Sequence, residues 1–210
     1  MKKKKFCLMT RLTVAGATAL LFSITVISAT LDEAQRTTES VEHLLREFRK
    51  NHDIKELAKA DDALSAARNL KPKHELEIRL SIVEAALSIH PAASKSPKVV
   101  TFVDPPKGYE VGTHPSQIKD AKERQEYLER INANQANAQK ADIDRQVQKK
   151  VDDLVFILRF VARDTVQQTG ALQVEAIEAR QSFLNALARS TLPVKTKQLL
   201  SDALNPPAAK

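Results

Sequence analysis

The sequence predicts an all-α protein: an antiparallel helical bundle with one long helix and an irregular or hairpin insertion. Residues that interrupt helices are confined to a few places. Beyond residue 29, glycine occurs only at positions 108, 112 and 170, and no proline lies between Ser116 and Leu192. Aromatic residues make up 4% of the chain and tryptophan is absent, so the core must consist of Leu, Ile, Val and Ala. Apolar residues recur at spacings of three and four, the period of a helix face.

The first 29 residues have the order of a secretory signal peptide. Lys2 to Lys5 and Arg11 form a basic start, an uncharged apolar run covers residues 12–29, and the small residues Ser28 and Ala29 close it. We therefore expect export to the periplasm or outside the cell, with cleavage at Ser28 or Ala29. The run is also about as long as the ~18 to 20 residues of a spanning helix. The alternative is an uncleaved anchor in the inner membrane.

Most of the excess positive charge belongs to this first segment. Five of the 33 Lys and Arg residues precede Leu12 and all 26 Asp and Glu residues follow Leu31, so a chain cleaved after residue 29 carries 28 basic and 26 acidic residues. A nucleic-acid-binding protein needs a clustered positive face, and we expect no nucleic-acid partner.

Cys7, the single cysteine, precedes the apolar run, whereas a lipid-modified cysteine would follow it. The exported chain therefore has no disulfide and depends on its hydrophobic core.

Residues 30–92 are expected to form the N-terminal helices. Thr30 with Glu33 makes a capping box for the first helix, and Asp53 with Glu56 can cap the second. Pro72 ends the second helix and opens the third. The stripes of the first two helices are Val41, Leu44, Leu45 and Phe48, then Ile54, Leu57, Ala60, Leu64, Ala67 and Leu70.

The third helix is apolar on two faces, so we expect it to be buried at the centre of the first half of the chain. One face is Leu76, Leu80, Val83 and Leu87, and the other is Ile78, Ile82, Ala85 and Ile89.

Residues 93–117 differ from the segments on both sides. Lys98 to Val103 has strand-forming residues, Pro105 and Pro106 turn the chain, and Tyr109 to Val111 can return as a second strand. Because Pro-Pro is a poor tight hairpin turn, an extended loop packed on the helices is an equal alternative. A connection of this length is typically functional or flexible.

Residues 118–204 predict a long helix and antiparallel return helices, ahead of a disordered tail at 205–210. Asp120 and Glu123 form a capping box, and no glycine or proline follows before Gly170, so residues 120–168 can be one helix about 70 Å long. Such a length is also typical of coiled coils. The polar stretch 132–148 is the expected place for a bend or for projection into solvent.

An apolar stripe returns in the second half of this helix, at Ile143, Val147, Val151, Leu154, Leu158 and Val161. Gly170 has the character of a helix C-terminal cap. The return helix should then run from about Leu172 to Arg189, and Pro193 should open a last helix that ends at Leu204. The return helix should bury Leu172, Ala176, Phe183, Leu184 and Leu187.

One segment resembles a stretch found in uncharacterised exported helical proteins of bacteria. It has the order G-x-x-P-S-x-I-x-D-x-x-x-R-x-x-Y, carried by Gly112, Pro115, Ser116, Ile118, Asp120, Arg124 and Tyr127. In that family the Asp is often followed by Pro, where this chain has Ala121. The resemblance covers residues 108–200 and implies an exported helical protein, but no activity, ligand or catalytic residue.

No spacing in the sequence indicates a catalytic or metal centre. The five histidines include no pair four residues apart on a helix. No Gly-x-Ser-x-Gly and no glycine-rich phosphate loop occurs, and we predict no cofactor. The candidate residues are therefore structural caps, at Asp53, Asp120, Glu123 and Gly170, and possible interaction residues, at Tyr109, Tyr127 and Arg159.

Arg159 interrupts an apolar run and shares a side of its helix with Arg163 and Asp152. It either belongs to a narrow polar seam at the edge of the bundle, or is a buried or partner-facing arginine held by Asp152 or Asp153.

These observations predict an exported, non-catalytic helical protein with a structural, scaffolding or protein-interaction role in the bacterial cell envelope. Its expected partner is a protein, its oligomeric state is open, and membrane contact is expected only through residues 12–29 if they are uncleaved. The rival is a small envelope hydrolase or sugar-active enzyme whose paired carboxylates meet only in the fold. Converging carboxylates or a Ser–His pair in a concave pocket would favour the enzyme. A long exposed helix with an apolar stripe and no pocket would favour interaction.

Overall fold

The computed structural model describes residues 34–68, 70–91 and 97–205. The predicted signal peptide, the Thr30–Glu33 capping box and the tail beyond Asn205 lie outside the described residues. The described chain consists of packed helices and contains no strand, which confirms the predicted all-α class. None of its helices is long and apolar enough to cross a bilayer.

The helix boundaries coincide with capping residues and prolines of the sequence. Asp53 caps the second helix by accepting a hydrogen bond from the N–H of Lys55 (3.0 Å), Pro72 is the first residue of the third, and Pro193 precedes the last. The helices are α1 (34–51), α2 (Ile54–Ala66), α3 (Pro72–Ile89), α4 (Ala121–Gln167), α5 (Ala171–Arg189) and α6 (Val194–Leu204).

Helix α3 lies at the centre of the whole bundle. Its C-cap residue His90 lies beside Asp144 of α4, and its first residue Pro72 lies beside Asp164, so the two helices are antiparallel. Helix α3 also packs against α2 and α5. The sequence predicted α3 as the centre of the first half of the chain. Its two apolar faces also bring it against helices of the second half.

Two side-chain hydrogen bonds fasten α3 to α5 and show that the two helices are parallel. The Ser182 hydroxyl, past the middle of α5, donates to the Glu77 carboxylate in the first half of α3 (2.5 Å). Farther along both helices, the Thr191 hydroxyl, just beyond the end of α5, donates to Glu84 in the second half of α3 (2.6 Å). Helix α6 folds back antiparallel to α5, since Lys197 near its start contacts the Ala188 carbonyl and Asn205 at its end contacts Arg180. Helix α6 also packs on α4.

The core draws large side chains from every helix of the described chain. Among those with almost no exposed surface are Phe48 of α1, Leu57 of α2, Leu76 of α3, Leu158 of α4, Phe183 of α5 and Leu200 of α6. All the predicted α3 positions are buried except Ile89, which is partly buried. The apolar periodicity therefore identified most of the residues that the bundle encloses.

Helix α4 is continuous from Ala121 to Gln167, so its polar stretch does not break it. Buried α4 residues fall into two groups: Tyr127 alone near the start, and a run that begins at Val147. The residues before Ile143 therefore extend beyond the bundle. We call the loop 97–120 together with residues 121–142 of α4 the arm, whose helical part is about 33 Å long.

The insertion is an extended loop. Residues 97–114 contain turns and bends but no strand, and a single 3-10 turn, Pro115–Gln117, precedes α4. The hairpin alternative was wrong. The strand-forming residues near Val100 meet the side of α4 instead of a second strand. The chain turns directly after Pro105, where the Pro106 carbonyl accepts from the N–H of Tyr109 (3.3 Å).

Two details of the α4–α5 connection differ from the prediction. Gly170, at φ 65°, is the N-cap residue of α5 and not a C-terminal cap of α4, which ends on Gln168 in an extended conformation. Leu172 was expected in the core but is exposed, because it lies in the first turn of α5 at the end of the bundle.

Candidate functional site

The loop of the arm is attached to α4 by side chains that reach its backbone. The Asn134 amide makes two hydrogen bonds to Val100: its oxygen accepts from the Val100 N–H (3.0 Å), and its nitrogen donates to the Val100 carbonyl (2.8 Å). Two turns earlier, the Tyr127 hydroxyl donates to the Val103 carbonyl (3.3 Å). The helix thus supplies the partners that a second strand would have offered.

The turn before α4 is also held by specific contacts. Ile118 is fully buried, and the Tyr109 hydroxyl accepts from the N–H of Lys119 (3.1 Å). The Asp120 carboxylate accepts from the N–H of Glu123 (2.8 Å) and caps the helix. In the described structure the Glu123 carboxylate makes no return bond to Asp120, so half of the expected capping box is present.

A contact between His114 and Ser116 has the composition of a catalytic pair but the geometry of a turn. The Ser116 hydroxyl lies 2.8 Å from His114 Nδ1, and the Ser116 N–H donates to the same nitrogen (3.3 Å). The Gln117 side chain accepts from the His114 N–H (3.0 Å). All three residues bond to their own local backbone on an exposed turn, so the pair caps the 3-10 turn.

Several apolar side chains of the arm's loop are exposed to solvent. Phe102 is 67% exposed and Val111 is 65% exposed. Val99 and Val100 are also exposed, although the Val100 backbone is bonded to Asn134. Exposed apolar side chains grouped on one element mark interaction sites in many proteins.

The three possible interaction residues occupy different environments. Tyr109 is half-buried and Tyr127 is buried inside the arm, so burial removes Tyr127 from the surface available to a partner. Arg159 lies on the exposed face of α4. The Asp152 carboxylate accepts from the amide of Gln148 instead of holding Arg159 (2.9 Å). The alternative of a buried Arg159 was therefore wrong.

An aromatic pair lies next to Arg159 on the same helix. Phe156 and Phe160 are both exposed and meet edge to face, with ring centroids 4.8 Å apart. The Arg163 guanidinium lies over the Phe160 ring, 4.5 Å from its centroid. This contact is a cation–π interaction.

A charged cluster is enclosed where α2, α3 and α4 meet. The Lys150 ammonium contacts the Asp61 carboxylate, and both side chains are largely covered. Arg79 of α3 and Asp153 of α4 line the same small space. Burial lowers the pKa of Lys150, and the nearby Asp153 carboxylate partly opposes that effect. The cluster joins α2 to α4 and leaves almost no room for a ligand.

A larger cleft lies at the elbow where α4 leaves the bundle beside the end of α3. It has a volume of about 630 Å³. Two polar atoms of its lining, His90 Nε2 and Asp144 Oδ2, are buried and have no hydrogen-bond partner among the described residues. Burial lowers the pKa of His90, with a further contribution from His52, whereas Asp144 raises it. We call this space the elbow cleft.

The elbow cleft was not identified by the sequence. In the sequence, His90 stands directly before the helix-breaking Pro91 and Asp144 lies within the polar stretch 132–148, and neither position has a spacing that indicates a site. The cleft presents one carboxylate, whereas the rival hydrolase would require two. Within the described residues, no group of three or more His, Cys, Asp or Glu side chains is placed to hold a metal ion.

Comparison with known proteins returned no matching family model, curated protein or solved structure.

Proposed function

We propose that this chain is an exported, non-catalytic protein with a structural, scaffolding or interaction role in the bacterial cell envelope, and that the arm is its contact element. The exposed apolar group on the arm, led by Phe102 and Val111, carries this proposal. These side chains lie on a loop that hydrogen bonds attach to the continuous helix α4, and we infer that a partner would meet a largely preorganised surface. Such preorganisation lowers the entropy cost of binding.

The charges of the arm favour a protein partner over a nucleic acid. Acidic and basic residues alternate along its helix, as in Lys122, Glu123, Arg124 and Glu126. A nucleic-acid interface needs a continuous basic surface to neutralise phosphates, and this surface alternates in sign. A protein interface commonly combines apolar and charged side chains, and the arm exposes both kinds.

The localisation rests on the N-terminal 29 residues. Their basic start, apolar run and small-residue end support export, with an uncleaved inner-membrane anchor as the alternative. Mass spectrometry of the protein from its native host distinguishes the two. We expect a mature N-terminus that follows Ser28 or Ala29. An intact N-terminus on membrane-bound protein would contradict cleavage and support the anchor.

A quantitative pull-down from envelope fractions tests the role of the arm. The double variant Phe102→Ser/Val111→Ser removes apolar surface from the arm. The matched control, Val166→Ser/Val194→Ser, removes two valines that are 80% and 83% exposed on the bundle. We expect the arm variant to lose the co-purifying protein and the control to retain it, with unchanged melting temperatures for both. Equal recovery by the two variants would contradict the proposal.

A further inference from the structure

We propose that the elbow cleft binds a small zwitterion, an α-amino acid with an aliphatic side chain. The cleft volume of about 630 Å³ lies within the roughly 300 to 1,000 Å³ typical of small-molecule sites. The elbow cleft lies where the helical part of the arm meets the bundle, and it uses none of the exposed apolar loop residues, such as Phe102 and Val111, on which the proposed contact role rests.

The strongest indication is a pair of unsatisfied polar atoms that line the same space. Asp144 Oδ2 and His90 Nε2 are buried and lack hydrogen-bond partners in the described chain. Buried side-chain polar atoms are nearly always paired, and an unpaired one is costly. A carboxylate oxygen accepts only, so the group that completes Asp144 must be a donor. An ammonium group is the donor that also balances its charge.

The state of His90 is compatible with the same ligand. Because burial lowers its pKa, the imidazole is neutral near pH 7 and one ring nitrogen is free to accept a hydrogen bond. A neutral imidazole also avoids repelling an ammonium group held by Asp144. His90 therefore adds a polar contact without changing the charge of the cleft.

The other walls of the cleft indicate the rest of the ligand. Ile89, Ile143 and Pro91 supply apolar surface, and Lys140 lies at the same cleft, one helical turn before Asp144. The Lys140 ammonium attracts a carboxylate, and the apolar wall accepts an aliphatic side chain. Asp144 and Lys140 thus match the ammonium and carboxylate ends of such an amino acid. The apolar wall matches its aliphatic side chain.

Isothermal titration calorimetry of the purified protein with three compounds separates the contribution of the ammonium group to binding from that of the carboxylate. L-leucine carries both charges, isoamylamine lacks the carboxylate, and isocaproate lacks the ammonium. We expect saturable binding of L-leucine, and at least about tenfold weaker binding of each of the other two, because hydrogen bonds to charged groups contribute that much or more.

Three variants test whether Asp144 binds the ammonium group and Lys140 binds the carboxylate. Asp144→Asn should weaken L-leucine and isoamylamine about tenfold or more, whereas Lys140→Ala should weaken L-leucine and leave isoamylamine unchanged. Lys149→Ala, an exposed residue of α4 outside the cleft lining, is the matched control and should bind as the wild type does. Thermal melts establish that each variant is folded.

Two results would overturn the proposal. One is the absence of saturable heat for L-leucine up to about 10 mM, which would mean that the two buried atoms are not completed by an amino acid. The other is unchanged L-leucine affinity in Asp144→Asn. The wild-type series with the three compounds decides the matter even if a variant fails to fold.

Discussion

Removing the Lys150 ammonium should destabilise the bundle by about 2 kcal/mol. The Lys150 and Asp61 side chains are 14% and 25% exposed. Exposed ion pairs contribute about 0 to 1 kcal/mol, and loss of one partner from a fully buried pair costs about 3 to 5 kcal/mol. Lys150→Met keeps most of the apolar stem but leaves the Asp61 carboxylate poorly solvated, so the cost should fall between those limits. For a chain of this size, the melting temperature should fall by about 4 to 8 °C.

Urea denaturation followed by circular dichroism measures this change. Lys149→Met is the matched control: it alters the neighbouring exposed lysine and should shift stability by no more than about 0.5 kcal/mol. The double variant Lys150→Met/Asp61→Leu should recover most of the loss, because it removes the uncompensated charge. If Lys150→Met costs no more than Lys149→Met, the ion pair is effectively solvated and the reasoning is refuted.

Three further results are expected. Asp120→Ala should cost about 0.5 to 2 kcal/mol in denaturant melts and Asp120→Asn less; unchanged midpoints in both would remove the capping role. Asn134→Ala should speed amide hydrogen exchange at Val100 while leaving the unfolding midpoint of the bundle nearly unchanged, and unaltered exchange would show that Asn134 does not hold the loop. Because burial lowers the pKa of His90, the unfolded chain binds its proton more readily, so stability should fall between about pH 7 and about pH 5. Melts of His90→Gln should show a weaker fall than those of His43→Gln, whose histidine is exposed; equal falls would contradict this assignment.

Local chemistry made much of the helical structure predictable. Asp53 and Asp120 mark the starts of α2 and α4 because their side chains accept backbone hydrogen bonds that nothing else can supply. The length of α4 follows from the absence of glycine and proline, and its polar stretch remains helical because Ala and Gln have high helix propensity.

Contacts between distant segments could not be predicted in the same way. Periodicity shows which face of a helix is buried but not which helix covers it. Lys150 and Asp61 are separated by 89 residues, and His90 meets Asp144 only because α3 and α4 are antiparallel. Nothing in the local spacing of these residues indicates either meeting. Periodicity also overestimates burial at the ends of helices. Leu172 falls on the apolar face of α5 but is exposed, because the first turn of α5 lies at the end of the bundle.

Site-specific photo-cross-linking in the native host tests the proposed role of the arm most directly. A photoreactive phenylalanine analogue replaces Phe102 in one variant and Val194 of α6 in the control variant. The adducts are identified by mass spectrometry. The two positions are 67% and 83% exposed, so exposure alone favours the control. We expect one discrete protein adduct from position 102, lost when Val111→Ser is added, and none from position 194. No adduct at position 102, or the same adducts at both positions, would contradict the arm as the contact element.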